Sequence, residues 1–312
     1  MNRAVAKIVV CPRCLPDEYS LTAVIDEEEK DDILSGELCC RHCGHAYAIR
    51  EGIAFLNPRP RTPAAHLPRY ETDLLLASYI WSHYADLMAD PEASTAYREW
   101  SALLNNDGGW GLDIGAAVGR FTFEMSRQCD FVIGIDTSVS FIRAARWLLR
   151  QRTLSVALPE EGNLQRQVTL QLPTDWSAAA IEFIVADAQA LPFKAGIFSQ
   201  LSSLNLVDKL PQPLAHLTEI NRVARRERAQ LLFSDPFSWS LEVANEKDWL
   251  GGTEAGTYTG FGQDNIKKLL SNPAGPLQPA WKVAEEGSVW WKIRSHRNHY
   301  ELIRSCFLQA ER

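Results

Sequence analysis

Residues 111–121 read GLDIGAAVGRF. An apolar run enters this stretch, an acid stands at Asp113, and glycines follow at Gly115 and Gly119. A dinucleotide-binding loop has the pattern G-x-G-x-x-G after a strand, and here Ala117 takes the place of the middle glycine. The stretch predicts a strand, a tight turn and a helix. By itself it leaves open a dinucleotide loop, a loop for another cofactor and an ordinary strand-to-helix turn.

Apolar strands alternate with helical patterns around this stretch. Strands separated by helices pair in parallel and are covered on both faces. We therefore expect an α/β fold with a doubly wound, mostly parallel, seven-stranded Rossmann-like sheet and an antiparallel pair at its edge. The predicted strands are 109–115, 131–136, 181–187, 198–205, 229–235, 289–294 and 300–310, with an added strand at 168–173, and the predicted helices are 70–88, 94–104, 140–150 and 213–226.

Two C-x-x-C pairs lie near the start of the chain, at Cys11 and Cys14 and at Cys40 and Cys43. Zinc prefers four soft ligands in a tetrahedron, and each C-x-x-C turn presents two thiolates on one side. The sequence around the second pair, LCCRHCGHAYAIREGIAFL, resembles that of the short zinc-ribbon proteins. We expect a structural zinc ribbon, with unmetallated thiol turns as the alternative. Further candidate ligands are Cys39 and, more weakly, His42 and His45.

The composition of the chain argues against some classes of binding partner. The 312-residue chain is 46% hydrophobic and has a formal net charge of −7, which argues against a general phosphate-binding surface. The one dense basic cluster, within 222–228, is expected to be the solvated end of a helix. No segment reaches the roughly 18 to 20 continuous apolar residues of a membrane span. With its C-x-x-C pairs and no signal-peptide pattern, the chain is expected in the cytoplasm, with no membrane partner.

Acids end the two strands that follow the opening stretch. Asp136 ends the next strand and Asp187 the one after it, at the edge where ligands bind in parallel sheets. Together with the D-x-G-x-x-x-G of the loop, this arrangement resembles the class I S-adenosylmethionine-dependent methyltransferases. The resemblance implies that Asp136 binds the ribose and that Asp187 binds the adenine. The full set of cofactor residues that it implies is Asp113, Gly115, Ala116, Gly119, Asp136, Asp187, Ala188 and Asn205.

A longer series of motifs is more specific. The segments RYETDLLLASYIWSHYADLM, LDIGAAVGRFTFEMS, LNLVDKLPQP, DPFSWSLEVANEKDWLGG and IRSHRNHYELIRSCFLQA occur in that order over about residues 69–311. Together they resemble the ovothiol-pathway methyltransferase domain, a 4-mercaptohistidine N-methyltransferase. The resemblance implies methyl transfer to an imidazole nitrogen of a small thiolated histidine. Ala116 stands where that family has a cysteine.

Methyl transfer to a neutral imidazole nitrogen needs positioning, exclusion of water and, at most, a base for the other ring proton. Asn205 ends the fourth strand and is expected to face the transferred methyl. An arginine such as Arg294 would bind a substrate carboxylate. The candidate catalytic residues are Asn205, Asp208, His83 and Tyr84, and the candidate substrate-binding residues are Tyr70, Asp235, Trp249, Arg294 and His296.

The sequence predicts three regions. Residues 1–57 form the zinc ribbon, the proline-rich residues 58–69 a linker, and residues 70–312 the methyltransferase domain, with helices at 70–107 and the catalytic sheet at 108–312. Two rival functions stay open. One is a zinc-ribbon rRNA or tRNA methyltransferase, and the other is an S-adenosylmethionine-binding protein without turnover.

Overall fold

The computed structural model of the protein describes residues 1–58 and 71–312. Tyr70 and nearly all of the predicted linker lie outside the described residues. The strands are β1 (Leu21–Glu29), β2 (Asp32–Cys40), β3 (Ala46–Arg50), β4 (Ile53–Leu56), β5 (Trp110–Ile114), β6 (Phe131–Asp136), β7 (Thr153–Glu161), β8 (Leu164–Gln171), β9 (Ile181–Ala186), β10 (Gln200–Leu204), β11 (Gln230–Asp235), β12 (Lys282–His296) and β13 (His299–Glu311). The helices are α1 (Arg3–Ala6), α2 (Asp73–Tyr84), α3 (Ala96–Ala102), α4 (Arg120–Met125), α5 (Val139–Gln151), α6 (Pro213–Val223) and α7 (Gly262–Ser271), with short 3₁₀ turns at Ala85–Met88, Val207–Lys209 and Glu246–Asp248.

The parallel core confirms the predicted α/β fold. Strands β9, β6, β5, β10 and β11 lie side by side in that order, and each adjacent pair is parallel. Helices cover both faces, so these strands are buried almost completely; every residue of β9 and β11 is buried. Strand β13 then pairs antiparallel with β11, and β12 pairs antiparallel with β13, as the late β-like runs predicted.

The prediction of a mostly parallel, seven-stranded sheet was wrong for the sheet as a whole. In the described residues the sheet has eleven strands, in the order β1-β2-β3-β4-β9-β6-β5-β10-β11-β13-β12, and it is mixed. The predicted seven strands form one part of it. The remainder is the cysteine module, because β4 pairs in parallel with β9, Leu56 opposite Ala186. The sheet extends there because an open edge on β9 would leave its backbone groups unpaired.

The cysteine module is joined to the parallel core by a largely buried ion-pair cluster. Arg146 of α5 donates from Nη1 to Glu182 of β9 at 2.6 Å and from Nη2 to Asp32 of β2 at 2.6 Å. Glu182 is buried inside a strand, so its charge depends on Arg146 and on the N-terminal ammonium, which lies 3.9 Å from its Oε2. The two parts of the chain therefore share one sheet and this charged cluster.

The β12–β13 hairpin overhangs the carboxyl edge of the parallel strands. Asp235, the last residue of β11, lies opposite Cys306, which lies opposite Ser288. Residues 289–305 thus extend beyond the end of β11. Helix α2 packs on this overhang, where the Ser78 hydroxyl donates to the carbonyl oxygen of Arg294 at 2.6 Å.

The predicted insertion forms a separate β7–β8 hairpin, which includes most of 168–173. This hairpin contacts α2, the 3₁₀ turn after it and β12. Among the described residues, no helix combines the length and the apolar character that crossing a membrane requires.

Candidate functional site at the carboxyl edge of the sheet

The opening stretch forms a tight loop between β5 and α4. Gly115 and Gly119 have φ of +81° and +86°, in the left-handed region that favours glycine. A β-carbon on Gly119 would approach Phe183 to 2.7 Å. Ala117 also lies in this region, with φ of +46°. The loop keeps the conformation of a glycine turn although its middle residue carries a methyl group.

Asp136 is bonded to this loop. Its Oδ2 accepts the backbone N–H of Ala117 at 3.0 Å, and its Oδ1 accepts the backbone N–H of Ser138 at 2.8 Å. The position suits the predicted ribose contact, which stays a prediction.

Asp113 lies beneath the loop. It is 2% exposed, its Oδ2 accepts from the Thr122 hydroxyl at 2.7 Å, and its Oδ1 accepts from the Ser202 hydroxyl at 2.8 Å. Burial raises the pKa of Asp113 to about 6, although the two hydroxyls oppose the shift. These contacts join β5, α4 and β10, so the structure places Asp113 where it supports the loop.

Asp187 and Ala188 follow β9, one strand further along the edge. Asp187 Oδ1 accepts from the backbone N–H and the side-chain amide of Gln189 at 2.9 and 3.2 Å. The carbonyl oxygen of Ala188 accepts from Nδ1 of His216 at 3.1 Å, and Nε2 of the same ring accepts from the Ser203 hydroxyl at 2.8 Å. Burial lowers the pKa of His216 to about 4, so the ring is neutral. Sequence reasoning missed His216, because a lone histidine in a helix carries no signal of this contact.

Asn205, Asp208 and Asp235 come together at the ends of β10 and β11. Asn205 has φ of +56°, and its Oδ1 is buried with no hydrogen-bond partner among the described residues. Asp235 Oδ2 accepts the backbone N–H of Asp208 at 3.4 Å. Burial first, and then the nearby Asp208 carboxylate, raise the pKa of Asp235 well above its usual range. Asp208 Oδ2 accepts from Lys209 Nζ at 2.8 Å, and Asp208 Oδ1 is buried and unpartnered within the described chain.

His83 and Tyr84 lie on α2, over the loop. The Tyr84 hydroxyl donates to the carbonyl oxygen of Val118 at 2.8 Å, and Nε2 of His83 lies 2.9 Å from the Tyr97 hydroxyl. Burial lowers the pKa of His83 to about 3, so the ring stays neutral and is a poor proton acceptor. Arg120, which sequence reasoning missed, holds α2 in place because its Nη1 donates to the carbonyl oxygen of His83 at 2.8 Å.

Glu71 explains part of the Y-E-T-D motif. Its two carboxylate oxygens accept the backbone N–H groups of Val139 and Ser140 at 2.9 and 3.0 Å, at the start of α5. An acid at a helix N-terminus is favourable. The motif signalled an important segment, but only the fold shows that Glu71 joins α2 to the helix that follows Asp136.

The other predicted substrate residues do not join this group. Arg294 lies on the opposite side of α2 from His83, where its guanidinium pairs with Glu160 at 2.8 Å. His296 lies at the β12–β13 turn, with its ring 5.6 Å from that of His299. Trp249 stacks on Trp239 at 6.3 Å in the segment after β11. Their roles in substrate binding stay predictions.

The four predicted zinc ligands do come together. The Sγ atoms of Cys11, Cys14, Cys40 and Cys43 all lie within 4.8 Å of one another, with Cys11–Cys43 at 3.7 Å and Cys14–Cys40 at 3.9 Å. Zn–S bonds of about 2.3 Å in a tetrahedron give S–S edges of about 3.8 Å, so the residues fit the metal. Cys39 lies outside this group, opposite Ala46 on the neighbouring strand. His42 stacks on Tyr19, and Nδ1 of His45 accepts from Arg13.

Comparison with known proteins agrees with this arrangement. Residues 112–227 match the family described as methyltransferase domain, and residues 2–52 match the Trm112p-like proteins. The chain carries a class I S-adenosylmethionine-dependent methyltransferase domain. This domain follows a Trm112-like module, whose four-cysteine group fits zinc. None of the curated proteins matches the chain.

Three solved structures are similar to parts of this chain. An S-adenosylmethionine-dependent methyltransferase from Methanosarcina mazei is 18% identical, with a TM-score of 0.43 over 68% of this chain and 95% of that one. A protein from Pyrococcus horikoshii is 16% identical, with a TM-score of 0.42 over 69% and 87%. A chain from the complex of the Haloferax volcanii Trm112 methyltransferase activator with a protein assigned as a methyltransferase is 13% identical, with a TM-score of 0.44 over 77% and 92%.

The cofactor edge of the methyltransferase fits S-adenosylmethionine. A β-carbon on Gly115 would lie 3.0 Å from Leu206, so the loop has little room for a side chain at this position. The carboxylates of Asp136 and Asp187 lie at the ends of two neighbouring strands of the same edge. These are acceptors, which suit the ribose hydroxyls and amino groups of this cofactor.

Proposed function

We propose that the protein transfers a methyl group from S-adenosylmethionine to a small molecule, with an imidazole nitrogen of a thiolated histidine as the best candidate acceptor. The observation that carries this proposal is the group formed by Asn205, Asp208 and Asp235, which lies at the carboxyl edge of the sheet and contains buried, unpartnered oxygens. The β12–β13 overhang and α2 stand over the neighbouring part of this edge. Buried oxygens of this kind are better reached by a small acceptor than by the surface of a folded one.

The cofactor supplies an electrophilic methyl group on a sulfonium. In the proposed reaction, an imidazole nitrogen attacks this carbon in line, the carbon–sulfur bond breaks, and its electron pair stays on sulfur. The other ring proton must then leave the methylated imidazolium if the product is neutral. Asp208 is the carboxyl group that suits its acceptance, because its Oδ1 has no partner among the described residues and its Oδ2 pairs with Lys209 at 2.8 Å. Burial raises the pKa of the neighbouring Asp235 well above its usual range. Asn205 holds the acceptor through its free Oδ1.

The first experiment is a methyl-transfer assay with thiolated histidines and related imidazoles, in which mass spectrometry places the methyl group. Formation of S-adenosylhomocysteine together with an N-methylated imidazole is the expected result. Asp136→Ala should abolish cofactor binding, whereas Asn205→Ala should lower turnover and retain cofactor affinity. Asp107→Ala, in an exposed loop, is the control. Normal S-adenosylmethionine binding by Asp136→Ala in calorimetric titration would refute the site assignment.

A second candidate is methylation of rRNA, tRNA or another macromolecule. The Trm112-like match over residues 2–52 favours this alternative, because the module is described in one similar complex as a methyltransferase activator. The net charge of −7 disfavours it. Methyl incorporation into purified RNA that falls steeply with salt concentration, with no transfer to thiolated histidines, would replace the first proposal with the second.

We also propose that the cysteine group binds one structural zinc ion. Four thiolates close the coordination sphere, so the metal has no open position for substrate. The module reaches the catalytic edge through β4, because Leu56 pairs with Ala186, the residue before Asp187. The zinc thus stabilises the strand that supports the proposed adenine contact.

A further inference from the structure

Four buried polar side chains line one region beneath the β12–β13 overhang. They are His83 of α2, Ser234 of β11, Trp291 of β12 and Ser305 of β13, and we call them the polar wall. Their exposed fractions are 6%, 0%, 5% and 0%. Each has a buried side-chain atom without a hydrogen-bond partner among the described residues: Nδ1 of His83, Nε1 of Trp291 and the two serine oxygens.

The polar wall lies on one side of the sheet. Leu232, Trp291 and Phe307 pack in a single hydrophobic cluster, together with Tyr97 of α3. Side chains two residues apart on a strand face the same way. Ser234 therefore shares the face of Leu232, and Ser305 shares that of Phe307. The His83 ring completes the group at 6.1 Å from the Trp291 ring.

This side of the sheet adjoins the methyl-transfer position. Leu204 packs against the same hydrophobic cluster, and the next residue is Asn205. The residue after His83 is Tyr84, whose hydroxyl bonds to Val118 of the cofactor loop. The polar wall and its hydrophobic cluster thus include the chain neighbours of the residues at the cofactor loop and at the strand end.

Leaving such atoms unpaired is costly. A buried donor or acceptor without a partner costs about 1 to 3 kcal/mol, and proteins rarely accumulate several in one place. The charges near the polar wall are paired. Arg120 lies between Asp86 and Glu124, at 2.6 and 2.7 Å, and Asp113 accepts from two hydroxyls. The region therefore suits an uncharged ligand with hydrogen-bonding edges.

We propose that the polar wall binds the methyl acceptor, and that the acceptor class is a small, planar, uncharged heteroaromatic ring. The indole N–H of Trp291 donates to a ring acceptor atom, and His83 and the serine hydroxyls bond to the opposite edge. The flat rings of His83, Tyr97 and Trp291 set the orientation. This inference rests on the proposed function, because it assigns the acceptor side of the same reaction.

Trp291→Phe tests the proposal, because it keeps an aromatic ring and removes the donor. Trp290→Phe is the matched control, since Trp290 is the neighbouring residue on the opposite face and is 53% exposed. Binding of imidazole and of a thiolated histidine is measured by calorimetry in the presence of S-adenosylhomocysteine. We expect about a tenfold weaker Kd for Trp291→Phe, as one lost hydrogen bond predicts, with cofactor affinity unchanged. Trp290→Phe should match the wild type.

Ser305→Ala is the second variant, because it disturbs packing least. It should also weaken acceptor binding and leave S-adenosylmethionine binding intact. If the wild type methylates a thiolated histidine and both variants keep its KM and Kd, the polar wall is not the acceptor site, while the proposed function stands. If the wild type binds S-adenosylmethionine and methylates only RNA or protein, without binding either imidazole probe, the acceptor class fails together with the small-molecule function.

Discussion

The backbone N–H of Ala117 donates to Oδ2 of Asp136 at 3.0 Å, so the middle residue of the glycine loop is bonded to the acid that ends the next strand. This bond holds Ala117 at φ of +46°, a conformation that costs an L-residue about 1 to 2 kcal/mol. The loop and the proposed ribose contact therefore depend on each other. A substitution of either residue should therefore alter both the loop conformation and the position of the Asp136 carboxylate.

Ala117→Gly should leave stability within about 1 kcal/mol of the wild type, because relief of the left-handed strain offsets the lost methyl group and the added chain entropy. Ala116→Gly is the control. Ala116 is also buried but has no positive φ. Ala116→Gly therefore loses the methyl group and adds chain entropy without relieving backbone strain, and should lower the free energy of unfolding by about 1 kcal/mol. Urea unfolding of both variants measures the difference. Equal losses would show that Ala117 is not strained.

Asp113→Asn should change how stability depends on pH. The pKa of Asp113 rises from 3.8 to about 6 on folding, so the native state binds more protons than the unfolded chain between these values. Stability contributed by this group is present below about pH 4 and is lost as pH rises to 6. The variant should lack this loss, which amounts to about 3 kcal/mol. Urea midpoints from pH 4 to 7, with Asp107→Asn as an exposed control, test it.

His216→Gln should act in the opposite direction. The pKa of His216 falls from 6.5 to about 4 on folding, so the unfolded chain binds more protons between these values. The stability from this residue is present above pH 6.5 and is lost as pH falls to 4. The variant should lose less stability over this window than the wild type does. It should also weaken S-adenosylmethionine binding, because Ala188 loses its partner. His299→Gln, at an exposed turn, should show neither effect.

Arg146→Met should lower the free energy of unfolding by about 3 kcal/mol, because the buried Glu182 loses its guanidinium partner and keeps only the more distant N-terminal ammonium, at 3.9 Å. Arg143→Met, one turn earlier on α5, is the matched control. Arg143 pairs with Glu51 at 3.3 Å with both side chains exposed, so its loss should cost less than about 1 kcal/mol. Adding Glu182→Gln to Arg146→Met should recover part of the loss. Similar costs for both arginine variants would contradict a buried connection between module and domain.

Zinc removal should destabilise the cysteine module and weaken cofactor binding. Cys43→Ser should abolish the metal, whereas Cys39→Ser, outside the group, should retain about one zinc per chain. Metal analysis and thermal unfolding measure the first effect, and calorimetric titration with S-adenosylmethionine measures the second. Well-folded wild-type protein without metal would refute the zinc proposal.

Local patterns in the sequence determined much of the fold and of the cofactor edge. The glycines of residues 115–119, the acids after two strands and the paired C-x-x-C turns are short-range signals, and the structure brings each set together as predicted. Each of these signals depends on the backbone within one turn or at one strand end. They therefore indicated the α/β fold, the methyltransferase domain and the four-cysteine group.

Only the tertiary structure decided how these parts meet. The joining of β4 to β9, the neutral His216 beneath Ala188 and the pairing of Arg294 with Glu160 all connect residues that are far apart in the chain. Sequence periodicity reports whether a residue faces the core, but not which partner it finds there. Strand edges and buried charges are satisfied by whatever the fold brings close, and only the tertiary structure shows which residues these are.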